Sequence, residues 1–395
     1  MYIVRQLILN KAELVLKELK QLGVDPEAYQ IFIRKAEHRI IKLEGLSCAQ
    51  ANVLKQTALI CGADLAIPKT AYYGGRSRKV CAVLFANLRE IEKIRRRLQE
   101  QPWLRNIAKE LETLLKQRTP LFLKIGREKF EFKRTYIMGV INVTPDSFYN
   151  GSRYTIREIV EKVVVEMEQE GADFIDIGAE SSRPGAPPVD KKEELERLKK
   201  VLPFAVKKTK LPISIDTYKA DVASFAIDAG ARIINDISGL GFDKGMAKVV
   251  ARNKVGLVIM HIKGKPRTMQ MNPQYKDLMG EIYDYLKKRI EFALEKGIDE
   301  NRIIIDPGLG FGKRLDDNYE IINRLYELTS LNRPILVGHS RKSFIGKPFN
   351  ISPEQRLEGS LAVEALLIQN GASILRVHDV FEAKKAALLV DRIKE

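Results

Sequence analysis

Eight short apolar runs occupy the second two-thirds of the chain, and each leads to a polar or charged residue. They are YIMGVIN ending at Asn142, FIDIG just ahead of Glu180, LPISI before Asp216, ARIIN at Asn235, GLVIM before His261, RIIID at Asp306, PILVG before His339 and ASILRV before His378. Runs rich in Ile and Val, continuous rather than alternating, suit parallel strands buried on both faces. Stretches of helical period and length lie between them, as at 157–170, 191–208 and 275–296. An eightfold alternation of strand and helix predicts a (β/α)8 TIM barrel over residues 135–395. The polar residues at the strand ends then converge on one pocket, because such barrels build their sites at the C-terminal ends of their strands.

The chain's 395 residues exceed one barrel, so a small α/β N-terminal domain is expected over residues 1–130. Its anticipated helices are 11–22, 47–61, 88–98 and 107–116, and its strands 40–43 and 80–85. Residues 117–134 read as a hairpin or a connector into the first barrel strand. No apolar stretch approaches the ~18 residues of a membrane span, and the N-terminus carries Glu13 and Glu18 without a small-residue cleavage site. A cytoplasmic protein without membrane contact is expected. Cys48, Cys61 and Cys81 are widely spaced, which suits reduced, buried thiols better than disulfides or a zinc site.

Net charge is +16, and residues 1–134 hold +13 of it, with 27 Lys+Arg against 14 Asp+Glu. Arg95-Arg96-Arg97 is the densest cluster. No nucleic-acid recognition motif accompanies the charge, so it reads as a solvated face and no nucleic-acid partner is expected. A field from a separate domain is also screened over ~8 Å at physiological ionic strength. A chain starting near Lys133 is therefore expected to keep the chemistry.

Three of the four histidines, His261, His339 and His378, fall at strand ends. A zinc site from these three is not expected, since no His-Glu-x-x-His pair is present, and His339 best fits a structural role. Asp216, Asn235 and Asp306 would enter the pocket from different sides, although Asp or Asn after a strand is often the cap of the next helix. Asp306-Pro307-Gly308, followed by Leu-Gly-Phe-Gly, favours ligand approach over a cap. Acceptors at this density suit a flat, nitrogen-rich heterocycle with N–H donors. Ser340-Arg341-Lys342-Ser343 and Arg376-Val377-His378 form a basic arc where barrels commonly bind phosphate. Two turn-rich segments, 144–152 and 181–188, are expected to act as lids over the same face.

At these residues the sequence resembles the dihydropteroate synthase family. The resemblance rests on MGVINVTPDSF (138–148), DIGAESSRPGA (176–186), PISIDTYK (212–219), INDISG (234–239), HIKGKPRTMQ (261–270), IDPGLGFGK (305–313), GHSRKSFIG (338–346), EGSLA (358–362) and RVHDV (376–380), in order. It covers the barrel and says nothing of the N-terminal domain. It implies that 7,8-dihydropterin-6-ylmethyl diphosphate is joined to p-aminobenzoate, releasing pyrophosphate. Asp216, Asn235, Met260, Asp306, Lys342 and Arg376 would then hold the pterin, and Asn142, Arg376 and His378 the diphosphate, with Mg2+ at Asn142. Phe148, Ser182, Arg183, Pro184, Phe311 and Ser343 would shape the p-aminobenzoate pocket, where sulfonamides compete. The main catalytic weight would fall on Asp216, Asp306, Lys342 and Arg376, in a homodimer formed through barrel helices. Asn150 stands where the family often has Asp, and Ser182 where Thr is frequent. Two other readings stay open at this point: a methyltransferase working between methyltetrahydrofolate and a corrinoid protein, and an inactive pterin-binding scaffold.

Overall fold

A computed structural model describes residues 3–9, 11–74, 79–116, 121–143, 155–180, 185 and 187–394. They form two compact units, Met1–Gln117 and Arg118–Glu395. In the first, β1 (His38–Ser47), β2 (Asp64–Ala66) and β3 (Lys79–Asn87) make an antiparallel sheet in the order β1-β3-β2. Two helices begin where strands end. Cys48–Cys61 is capped by Ser47 and Leu88–Gln99 by Asn87, each through a reciprocal box with Gln50 or Glu90. Their apolar residues Leu54, Ile91, Ile94 and Leu98 share one core with Leu65 and Leu84 of the sheet. Val80, Ala82 and Leu84 of β3 are buried, and strand alternation therefore turns Cys81 outward. Only Cys48 and Cys61 are the buried free thiols that the sequence suggested; Cys81 is free and exposed. The basic cluster is partly neutralised, with Arg95 bonded to Glu92 at 2.9 Å and Arg96 to the same carboxylate at 2.9 Å.

The second unit opens with a hairpin of β4 (Phe122–Ile125) and β5 (Glu128–Glu131). Eight parallel strands follow: β6 (Tyr136–Asn142), β7 (Phe174–Gly178), β8 (Ile213–Asp216), β9 (Ile233–Asp236), β10 (Gly256–Met260), β11 (Ile303–Asp306), β12 (Leu336–Gly338) and β13 (Ile374–Val377). Their order, β11-β10-β9-β8-β7-β6-β13-β12, is closed into a barrel by a parallel bridge between Ile305 and Ile335. The stretch 191–208 is two helices, Lys191–Lys199 and Leu202–Lys208, because Pro203 suits a first helical turn and cannot continue an earlier one.

Side-chain period divides the barrel's residues between two environments. Ile137, Ile175, Ile215, Ile234, Leu257, Ile259, Ile303, Val337 and Leu375 pack with the helices in the large outer core. The alternate residues Met138, Phe174, Ile233, Val258, Ile304, Leu336 and Ile374 form a separate inner cluster, joined by Leu123 and Ile125 of the hairpin. The hairpin thus packs with the residues nearest the N-terminal ends of the strands. It belongs to the barrel's unit, which begins at Arg118, and not to the N-terminal domain or a loose connector. Arg302 Nη1 donates to the Lys124 carbonyl at 3.1 Å, which ties the hairpin to the turn ahead of β11.

A chain starting near Lys133 would therefore uncover the inner cluster. Losing the burial of Leu123 and Ile125, at about 1.5–3 kcal/mol each, should lower the barrel's melting temperature by roughly 10 °C relative to a chain starting at Arg118. Thermal melts followed by circular dichroism on the two truncated chains test this.

Candidate active site

Two residues beyond the inner cluster, on the same face of the strands, the side chains become polar. Phe174 is followed by Asp176, Ile233 by Asn235, Ile304 by Asp306 and Ile374 by Arg376, while Val258 is followed by the apolar Met260. Register aligns them across the barrel: Asn142 pairs with Gly178, Gly178 with Asp216, Asp216 with Asn235, Met260 with Asp306, and Gly338 with Arg376. None of Asp216, Asn235 and Asp306 serves as a helix cap, for the helices that follow start after Lys219, Gly245 and Arg314.

Arg376 lies at the centre of this layer. Its Nε donates to Asp176 Oδ2 at 2.6 Å and its Nη2 to Asp216 Oδ2 at 3.1 Å. Asp176 is fully buried and also accepts from Asn235 Nδ2 at 3.2 Å. The sequence reading missed Asp176, although a lone carboxylate inside a continuous apolar run had to face the barrel interior and find a partner there. The same contacts correct the picture of an acceptor arc facing a basic arc, since the principal cation sits between carboxylates.

Lys342 donates from Nζ to the Leu309 carbonyl at 2.6 Å and lies over the Phe311 ring, 4.7 Å from its centroid. The loop that presents Phe311 depends on glycine. A Cβ on Gly308, at φ +67°, would meet the His261 carbonyl oxygen at 2.1 Å, and one on Gly312, at φ +63°, the Lys263 carbonyl oxygen at 2.3 Å. Ile237, Met260, Ile262, Met269 and Phe311 form an apolar cluster beside the acceptors. Ser343 is exposed and opens a one-turn helix, Ser343–Gly346. Phe148, Asn150, Ser182, Arg183 and Pro184 lie outside the described residues.

The histidines take separate roles. His339 Nε2 is 3.0 Å from Glu364 Oε1, both side chains being buried, which is the structural part anticipated for it. His261 Nδ1 is 3.0 Å from Lys313 Nζ, which also donates to the Phe311 carbonyl at 3.1 Å. His378 Nδ1 lies 3.2 Å from Ser340 Oγ. Arg341 departs from the expected basic arc, because its Nε and Nη2 are bonded to Asp379 at 2.8 and 2.7 Å. A further cluster went unnoticed in the sequence. Lys219 Nζ reaches Glu180 Oε2 at 2.6 Å and also Glu194, while Tyr218 donates to Glu180 Oε1 at 2.9 Å.

Residues 138–378 match the family described as pterin binding enzyme. The dihydropteroate synthase of Clostridium beijerinckii is 43% identical over 273 residues, covering 69% of this chain and 99% of that protein. A crystal structure of Xanthomonas albilineans dihydropteroate synthase with 4-aminobenzoic acid superimposes with a TM-score of 0.66 at 40% identity, over 70% of this chain and 99% of that one. The chain belongs to the dihydropteroate synthase family. It is a transferase of folate biosynthesis. Likeness to the bifunctional dihydropteroate synthase/dihydropteroate reductase of Helicobacter pylori, 34% over 375 residues and 92% of each chain, extends into the N-terminal unit.

A cavity of about 510 Å³ opens beside Asp216, lined by Thr217, Tyr218, Ile237, Phe242 and Arg267 among others. Burial dominates the electrostatics of this dihydropteroate synthase site. It pushes the Asp216 carboxyl up to about 7, with Arg376 opposing and Asp176 reinforcing the shift. Burial likewise raises Asp306, against the Gly308 N–H and Lys342, and it lowers Lys342 to about 8 and Lys313 to about 7. Arg376 is raised, because Asp176 and Asp216 outweigh its burial.

The Asp216 shift fixes a sign. An unfolded Asp titrates near 3.9 and folded Asp216 near 7, so between these values the folded protein holds the extra proton. Its contribution is therefore present below pH ~4 and lost as pH rises through ~7. Asp216→Asn stays neutral, so its melting temperature relative to the unaltered ligand-free protein should rise between pH 4.5 and 7.5. Calorimetric scans at both pH values test this, and an unchanged or falling difference would show that Arg376 outweighs burial.

Proposed function

We propose that Asp216, Asn235 and Asp306 accept hydrogen bonds from the N–H and amino donors of 7,8-dihydropterin-6-ylmethyl diphosphate, with Lys342 completing the ring's polar edge. The observation that carries this reading is a set of three acceptors, Asn235 and Asp306 buried and Asp216 only slightly exposed, beside the apolar cluster of Met260, Ile237 and Phe311. Met260 supports one face of the ring and Arg376 stacks on or beside it, a geometry suited to a planar guanidinium. Arg376 and His378, two apart along the chain, together with Asn142, engage the diphosphate. Phe311 and Ser343, with Phe148, Ser182, Arg183 and Pro184, shape the place of p-aminobenzoate.

Chemistry follows from these positions. Breaking the methylene C–O bond sends the electron pair to the diphosphate and leaves positive charge on the pterin methylene. Carboxylates fixed nearby stabilise that charge without reorganising. The neutral amine of p-aminobenzoate forms the C–N bond with its own lone pair and then, as an acidic ammonium, passes a proton to water, so no strong base is needed. Asn142 offers one neutral amide oxygen, and no cluster of three or more His, Cys, Asp or Glu suited to a metal occurs among the described residues. That donor set fits Mg2+ bound largely through diphosphate oxygens and water, where it would offset charge on the leaving group.

A pyrophosphate-release assay with and without p-aminobenzoate tests the reading. Release that depends on p-aminobenzoate separates it from methyl transfer to a corrinoid protein and from an inactive scaffold. Asp306→Asn should weaken pterin binding by about 1–3 kcal/mol, or roughly fivefold to 150-fold, by leaving donors imperfectly paired. Arg376→Ala should lower kcat/KM at least as far, because it touches both ring and leaving group. Unaltered turnover and pterin affinity in either variant would remove that residue from the site.

The same reading includes a homodimer through the last barrel helices, Leu357–Gln369 and Val380–Lys394, which expose Leu366, Leu388, Leu389 and Ile393. Leu389→Glu should shift the sedimentation coefficient to that of a monomer, and an unchanged value would exclude this face. Free Cys48, Cys61 and Cys81 fit a reducing, cytoplasmic setting.

A further inference from the structure

Asn235 carries a choice that its own chemistry does not settle. A side-chain amide has an acceptor edge and a donor edge, and a half-turn about its last bond exchanges them. In this protein the exchange is blocked from one side. Asn235 Nδ2 faces Asp176 Oδ2 at 3.2 Å, and the reversed amide would set two acceptor oxygens against each other in a buried layer. With Nδ2 committed, Asn235 Oδ1 is left buried and without a protein partner. An orphaned acceptor in such a place calls for a donor brought by a ligand.

Asp176 is itself held on a second side. Its Oδ2 accepts from Arg376 Nε at 2.6 Å, and its side chain is fully buried on β7, between β6 and β8. One carboxylate oxygen therefore anchors the guanidinium and also sets the amide.

We propose that Asp176 is a positioning residue of the pterin site: by accepting from Asn235 Nδ2 it fixes the amide with Oδ1 offered to the ligand, so that the pocket requires a donor there. This rests on the assignment of Asn235 to pterin binding made above. It also explains why a carboxylate sits inside an otherwise apolar strand. An apolar side chain at position 176 would leave Asn235 free to turn, whereas a carboxylate oxygen held by Arg376 Nε accepts from Asn235 Nδ2 as well. The selected ligands are fused pyrimidinones that present N–H or NH2 at this position, and analogues with a bare ring nitrogen there are excluded.

The experiment is a mutant cycle on the full chain, read as the dissociation constant of 6-hydroxymethylpterin by titration calorimetry. Asn235→Ala should weaken binding, and if it does not, the assignment of Asn235 to the pterin site fails whatever Asp176 does. Given that loss, Asp176→Ala should weaken binding roughly tenfold or more in the unaltered background and add less than about twofold in the Asn235→Ala background. Equal losses in both backgrounds, or no loss in either, would overturn the proposal, the first by assigning the effect to Arg376 alone. Asp176→Asn keeps the test open if Asp176→Ala does not fold. Its amide oxygen, held by Arg376 Nε, still accepts from Asn235 Nδ2, so binding within about threefold of the unaltered protein supports the positioning role, and a loss of roughly tenfold or more refutes it.

Discussion

A closed barrel of eight parallel strands has no backbone donors to spare, so its inward side chains must satisfy one another. Near the N-terminal ends they do so as an apolar plug, in which Met138, Phe174, Ile233, Val258, Ile304, Leu336 and Ile374 meet Leu123 and Ile125 of the hairpin. One side-chain step further, the solution is ionic. Asp176, Asp216 and Arg376 form a carboxylate, guanidinium, carboxylate chain in which the cation opposes the burial that raises Asp216. The dry lower layer keeps water from the chain's underside, and the chain sets the directions in which Asn235 and Arg376 point.

Binding energy here is bound up with instability of the empty site. Asp216, Asp306, Lys342 and Lys313 are all moved away from their ordinary values primarily by burial. On the proposed reading, a pterin bringing donors to the acceptors, and a diphosphate bringing charge to the cations, would add to the few partners these groups have in the empty protein. Groups that cost free energy alone and gain it on binding favour the complex over the empty protein. A site assembled from well-satisfied groups could hold its shape equally well but would gain less from its ligand.

Much of this was legible in the sequence, for physical reasons that differ from residue to residue. Strands buried on both faces write themselves as continuous apolar runs, so the barrel could be read directly, and residues just beyond each run had to lie on the active face. Asp216, Asn235, Asp306 and Arg376 were found in that way. The hairpin was one of two readings of 117–134, but its packing against the barrel was not foreseen, because a short strand pair carries no local mark of where it docks. Only the three-dimensional inner cluster joins Leu123 and Ile125 to the barrel. Arg341 looked like its neighbour Lys342, yet its backbone at φ +54° and its pairing with Asp379 set it apart. No pattern within 338–346 encodes a partner at 379.

Asp176 was the more instructive omission. The eye searches strand ends for function and reads strand interiors as packing, a sound habit while interiors are apolar. A carboxylate in mid-strand breaks the rule, and the energy at stake makes the breach informative. An ionised group buried without a partner is so unfavourable that its presence implies a cation and further donors across the barrel. Arg376 and Asn235 are those partners, contributed by β13 and β9, neither of which adjoins β7 in the sheet. Contacts spanning 200 and 59 residues of sequence cannot be seen as local motifs. Their necessity can be inferred from one misplaced charge, and the residues that answer it are two of those proposed to hold the pterin.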